Sequence, residues 1–346
     1  MNTDKQSQQN GKPRPRRIWL WLAVGMSLAV LTTLVVIIGI LVNSLGNPLK
    51  GQAGEELVAS IRQIDGVDSA SLGFGSTSGG LATVALIGIK AKPDLAQGAA
   101  VSLLQNIQQK LSEVDKNTKM RVTYERPRLG GGVKLTYLVD REHPDSMARQ
   151  VEVLPRLMTM TDGVADWVES DNSSYSKNTL SCTLQKTSAS LEEGGKLLGV
   201  DVPGPCDEVS RMWQVDDSIS VTVTGDQTVN ITETWLESIV SARADIKNVE
   251  LAVMGGDRVY KISLRDPRKL PTDSPEAIRV TDSLGGVLRE TSNMQQGVAT
   301  VWIDTFLPLS LENSQFSVKM SDGQSEEDLT RTRALIEKID KNSSIL

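Results

Sequence analysis

One histidine, His143, serves the whole chain of 346 residues. A single imidazole removes His-rich zinc sites, paired-histidine proton relays and triads that need a second site. His143 itself sits in Arg141-Glu142-His143-Pro144-Asp145, a polar connection ahead of a helix. Two cysteines, Cys182 and Cys206, are the other candidates for chemistry. In an oxidising compartment they can close a disulfide across a separation of 24 residues, constraining the unfolded chain by roughly 3 kcal/mol. Cys182 falls in a strand pattern and Cys206 follows the Pro203-Gly204-Pro205 turn, so the bridge is expected to tie a loop to a sheet. The alternative is two buried thiols that never meet.

Residues 170–188 invite a nucleophilic reading. Ser170-Asp171-Asn172 fits S-D-N, Ser174-Tyr175-Ser176-Lys177 fits S-x-x-K, and Lys186-Thr187-Ser188 approaches K-T-G. In letters this resembles the signature set of penicillin-binding proteins and β-lactamases. The order departs from it. In that family S-x-x-K comes first, on a helix that puts serine and lysine on one face, and the other elements arrive much later. Here all three fall in one apparent hairpin, and the third lacks its glycine. Turns rich in Ser, Asn and Asp generate such matches by composition. No catalytic residue is assigned.

The remaining motifs read as structure. Gly73-Phe74-Gly75-Ser76 and Gly79-Gly80 lack the lysine and helix of a phosphate loop. Asp216-Asp217 and Glu326-Glu327-Asp328 lack the alternating spacing of a calcium loop, and the second suits a helix first turn. Carboxylate pairs could serve glycoside hydrolysis, but none of the 43 acids stands out. Trp167, Trp213, Trp235 and Trp302 lie on or near periodic core positions, which favours packing over a sugar-stacking platform. No metal or cofactor site is expected.

These residues must be placed by the rest of the chain, which begins with a charge asymmetry. Residues 1–17 hold five of the 37 basic groups (Lys5, Lys12, Arg14, Arg16, Arg17) and one of the 43 acids, so the remainder carries 32 bases against 42 acids. An acidic body is repelled by phosphate polymers, which argues against nucleic acid. From Ile18 to Val42 no residue is charged. As a helix rising about 1.5 Å per residue, this run exceeds a hydrocarbon core of roughly 30 Å. Trp19 and Trp21 suit the headgroup level, and Arg14, Arg16 and Arg17 orient the N-terminus inside. The competing reading is a cleaved signal peptide. Its apolar region would be shorter, and only Val42-Asn43-Ser44 loosely fits a cleavage site.

Beyond a linker at 43–54, helix and strand periods alternate. Residues 95–114 give the cleanest helix, with Leu103, Leu104, Ile107 and Leu111 on one face and Asp94 placed as its cap. Met120, Val122 and Tyr124 alternate with polar residues, as do Val133, Leu135 and Tyr137. Pro155 is expected to kink or split a helix over 145–160. Ser274-Pro275 and Ser325-x-x-Asp328 open two later helices. Helices starting near 53, 145 and 229, with like turns at 64–67, 161–164 and 246–249, suggest a period of about 85–95 residues. The expected fold is α+β: one N-terminal transmembrane helix, then two to three tandem α-β-β-α-β modules with mainly antiparallel sheets. The boundaries are 1–17, 18–42, 43–54, 55–140, 141–226 and 227–346. The arrangement resembles tandem small αβ domains of bacterial envelope proteins in general.

Function follows from topology rather than chemistry. The sequence points to a non-enzymatic, single-pass protein of the plasma membrane, N-terminus cytoplasmic, that binds or assembles in the cell envelope. Its partners are the lipid bilayer and either envelope proteins or further copies of itself. Two other readings stay open. One is a cell-surface hydrolase or transferase using carboxylates or a serine. The other is a ligand-sensing ectodomain that signals through a partner, since 17 cytoplasmic residues are too few for an effector domain.

Overall fold

The computed structural model describes residues 49–343 apart from 77–82, 94, 115–117, 140–145, 162, 173–178, 203, 205, 226–228, 255–256, 295–297, 314 and 320–322. The span at 18–42, its flanking Arg14, Arg16, Arg17, Trp19 and Trp21, and His143 lie outside the described residues. Among the described residues no helix is long and apolar enough to cross a membrane.

An amphipathic helix followed by two alternating strands is the building unit, and it occurs six times among the described residues. The units are α1 (Gln52–Arg62), β1 (Val67–Ser76), β2 (Thr83–Ala91); α2 (Gln97–Ser112), β3 (Met120–Arg128), β4 (Gly131–Val139); and α3 (Ser146–Met160), β5 (Trp167–Asn172), β6 (Ser181–Thr187). There follow α4 (Leu191–Leu198), β7 (Glu208–Asp216), β8 (Ile219–Gly225); α5 (Glu233–Ser241), β9 (Ile246–Met254), β10 (Asp257–Leu264); and α6 (Pro275–Met294), β11 (Ala299–Ile303), β12 (Leu309–Glu312). A short strand β13 (Gln315–Val318) and a helix α7 (Glu326–Ser343) close the array. Helices begin at residues 52, 97, 146, 191, 233 and 275, in steps of 45, 49, 45, 42 and 42 residues.

The thirteen strands form one sheet in sequence order. Within each unit the two strands pair antiparallel, as in β3–β4 and β7–β8. Between units they pair parallel, as in β2–β3, β4–β5, β6–β7, β8–β9 and β10–β11. This corrects the expectation of separate, mainly antiparallel modules. A helix that returns the chain parallel to the last strand makes the next hairpin extend the same sheet, so no edge forms between units. The period of 85–95 residues spans two such units. The expected helices over 95–114 and after Ser274 are not inner elements of a larger module but each opens a unit of its own, and α4 has no counterpart in the sequence pattern. All crossovers advance the sheet in one direction, and with the usual right-handed connection this sets every helix on one face.

Burial agrees. Successive strands read buried-intermediate-buried: Met120, Val122 and Tyr124 in β3, Val209, Arg211, Trp213 and Val215 in β7, Val221 and Val223 in β8. The apolar ones among these side chains join Leu103, Leu104, Ile107, Leu154, Leu197, Ile239 and Leu288 of the helices in one core. Among the described residues the opposite sheet face carries no helix.

Caps explain several helix starts. Ser190 accepts from the Glu193 N–H, Thr232 from the Trp235 N–H, Ser274 from the Ala277 N–H and Ser325 from the Asp328 N–H. Helix α2 differs from expectation. It starts at Gln97 with Ala96 at the cap position and no side-chain cap, and Asp94 lies outside the described residues. Helix α3 is not split, since it runs through Pro155 to Met160. Gly66 ends the α1 turn at φ +94°, the left-handed conformation that glycine tolerates. Its proposed counterpart Asn248 lies inside β9 instead, because that strand starts two residues earlier.

Candidate binding surface

Pleating takes the S-D-N match apart. Ser170 and Asn172 point into the core, at 0% and 1% exposure, while Asp171 between them is exposed on the open face. Ser170 Oγ donates to Gln150 Oε1 (2.7 Å), and Gln150 Nε2 donates to the Thr136 carbonyl (3.2 Å). This buried network ties α3 to β4 and β5. Lys186 pairs with Asp166 (3.4 Å) and lies near Glu193 (3.9 Å). It sits four residues along β6 from Cys182, the register partner of Ser170, or roughly 13 Å. Ser174 and Lys177 lie outside the described residues. The acid pairs are also structural. Asp216 accepts from the Ser218 hydroxyl and N–H in the β7–β8 turn, which hold its carboxyl below the usual range. Among the described residues no cluster of three or more His, Cys, Asp or Glu could hold a metal ion.

Cys182 and Cys206 form the expected disulfide (S–S 2.01 Å). It closes the crossover from β6 through α4 to β7. Asp207 reinforces the closure, accepting from the Leu180 N–H and from Arg149, both at 2.7 Å. Burial pushes the Asp207 carboxyl up, but these two donors outweigh it and hold it below the usual range. Reduction releases a loop of 24 residues and is expected to cost about 3 kcal/mol. Chemical denaturation with and without reductant checks this, and an unchanged midpoint would refute the stabilising role.

The open face is where side chains are organised without being sealed. Cross-strand register sets one row running from Gly132 through Trp167, Gln185 and Met212 to Thr222. The row continues through Glu250 and Lys261 to Trp302. Trp167 is half-buried and lies across Gly132, where an added Cβ would meet Cζ3 of the indole at 2.7 Å. Trp302 is 43% exposed. Core packing thus describes Trp213 and Trp235, both fully buried, but not these two. Alternation alone could not reveal it, because odd and even positions of a strand are equivalent until the helix layer chooses a face.

A second row on this face begins Lys90, Glu125, Lys134, Glu169 and continues Thr183, Ser210, Thr224. Its charges alternate, and Lys134 bridges Glu169 at 2.7 Å. That pairing raises the Lys134 pKa, the Glu169 hydrogen bond being the main cause. In the first row Lys261 lies 3.7 Å from Glu250. Ser210 and Thr224 share a hydroxyl contact (3.3 Å), and Ser220 donates to Asn248 (2.9 Å). The surface therefore pairs lysines with glutamates, carries further exposed carboxylates at Asp171, Glu208 and Asp257, and is rich in hydroxyls and amides.

A groove of about 440 Å³ lies between β13 and α7. It is lined by Ser317, Val318 and Ile336 together with the charged Arg333, Glu337 and Asp340. It carries no cluster suited to chemistry. No protein family, no characterised protein and no solved structure matches the chain.

Proposed function

We propose that this chain is a non-enzymatic binding module of the cell envelope, tethered to the plasma membrane and displaying its repeat sheet outside. The observation that carries the binding reading is the open face: side chains in register across successive strands, several of them paired, and covered by no helix among the described residues. Repeat arrays in which each unit touches only its neighbours commonly present such extended surfaces to partners. The uncharged run at 18–42 supports the tether, the basic residues before it support a cytoplasmic N-terminus, and the disulfide suits an oxidising exterior. Partners are envelope components, with further copies of the chain as the alternative.

Site-specific cross-linking in intact cells tests this. A photoreactive residue at position 222, on the open face, should capture an envelope component, whereas one at Glu327 on α7 should not. Capture from neither position removes the reading. Protease added to whole cells should digest the chain beyond residue 43, and full protection would overturn the topology.

A further inference from the structure

We infer that the open face binds an uncharged polysaccharide strand, laid across β5 to β11 between Trp167 and Trp302. This deepens the proposed binding reading and rests on it. The first argument is charge. On this face Lys134 pairs with Glu169 and Lys261 with Glu250, and the exposed carboxylates Asp171, Glu208 and Asp257 leave its balance acidic. An anionic polymer laid between Trp167 and Trp302 would find no free cation there among the described residues, and would be repelled by the acidic face and body.

The second argument is the mode of contact. Strands β5 to β11 are hydrogen-bonded on both edges, so a polypeptide cannot add main-chain bonds to them. What the face offers is side-chain hydroxyls and amides that both donate and accept, such as Gln185, Thr222, Ser210 and Thr224. Polyhydroxylated chains present the matching mixture. Several of these groups are already fixed by one another, which lowers the entropy lost on binding.

The third argument is geometry. Trp167 and Trp302 occupy the same row, six strand spacings apart, or about 29 Å. Indoles are broad apolar faces with a polar edge, suited to the C–H face of a sugar ring. Each strand step, about 4.8 Å, is close to the length of one extended sugar unit, so polar contacts recur in step with the ligand. Met212, two strands from Trp167, offers an adaptable apolar contact between the indoles.

The test is co-sedimentation of the detergent-solubilised full chain with insoluble chitin and cellulose, as neutral polymers, and with an anionic polysaccharide. The full chain should pellet with a neutral polymer, and high salt should not release it. Trp302→Ala and Thr222→Glu should each weaken binding about tenfold. Ile278→Glu, an exposed position on α6, should leave it unchanged. Circular dichroism of each variant separates lost binding from lost fold. Equal sedimentation of all variants, or binding only to the anionic polymer, overturns the inference. If no neutral polymer binds, yet Thr222→Glu abolishes capture of a protein by a probe at position 300 on the same face in cells, the glycan reading fails while the binding face stands. If that capture is absent as well, both fail.

Discussion

Replacing Trp213 by alanine is expected to destabilise the middle of the sheet by about 3–5 kcal/mol. The indole is fully buried on β7, and its Nε1 donates to the Ser188 carbonyl at 2.8 Å. Its ring is the seat on which α4 rests. A Cβ added at Gly194 would lie 2.5 Å from Cδ2 and Cε2 of the ring, so the helix backbone approaches as closely as glycine permits. Truncation loses the apolar burial, leaves a cavity and strands the Ser188 carbonyl. The rigid neighbours cannot close over it, because the disulfide pins the same crossover. In an array whose units touch only their neighbours, the damage should stay local. Hydrogen exchange should accelerate across β6 to β8 and change little in β11 to β13. Uniform acceleration along the chain would contradict a linear array. Gly194→Ala should move the same region in the same direction, through overcrowding rather than a void.

The same contact explains what the sequence concealed. Helix α4 has eight residues, Leu-Glu-Glu-Gly-Gly-Lys-Leu-Leu, and its two glycines look like a turn. Their purpose is visible only from the other side of the contact, on a strand more than a dozen residues later. Without α4 and the strand β7 that follows it, the fourth unit cannot be told from the third, and the repeat reads as one of twice the length. Strand identity was otherwise legible wherever period two was strict, as at Met120 to Tyr124 and Val133 to Tyr137. Caps at Ser274 and Ser325 were legible because they are local chemistry. Parallel pairing between units was not, since it depends on which way a helix returns the chain. The open-face row was hidden for a related reason. Trp167 and Trp302 are 135 residues apart in sequence and become row-mates only through six successive registers.

High pH should unfold this protein through its buried tyrosines. Tyr124 and Tyr137 stand on neighbouring strands with 0% and 1% exposure, and neither phenolic oxygen has a hydrogen-bond partner among the described residues. Burial pushes the Tyr124 phenol up to about 12, against a smaller downward pull from the Arg126 charge. Tyr137 is raised further, first by burial and then by Tyr124 beside it. Burial also raises Tyr260. A folded-state pKa above the unfolded value near 10 means the unfolded chain loses protons first. Stability is then intact below pH 10 and falls as pH rises toward the folded value. Tyr124 alone accounts for about 3 kcal/mol over those two units. Tyrosinate absorbance and circular dichroism should therefore change together, in one cooperative step well above pH 10. Smooth ionisation near pH 10 with the fold retained would show these phenols to be accessible. Tyr137→Phe sharpens the test, because it deletes an ionisable group and an unsatisfied oxygen together. The variant should resist alkali better than the parent and gain about 1 kcal/mol at neutral pH. A loss at neutral pH would mean that the Tyr137 hydroxyl has a hydrogen-bond partner, such as a buried water.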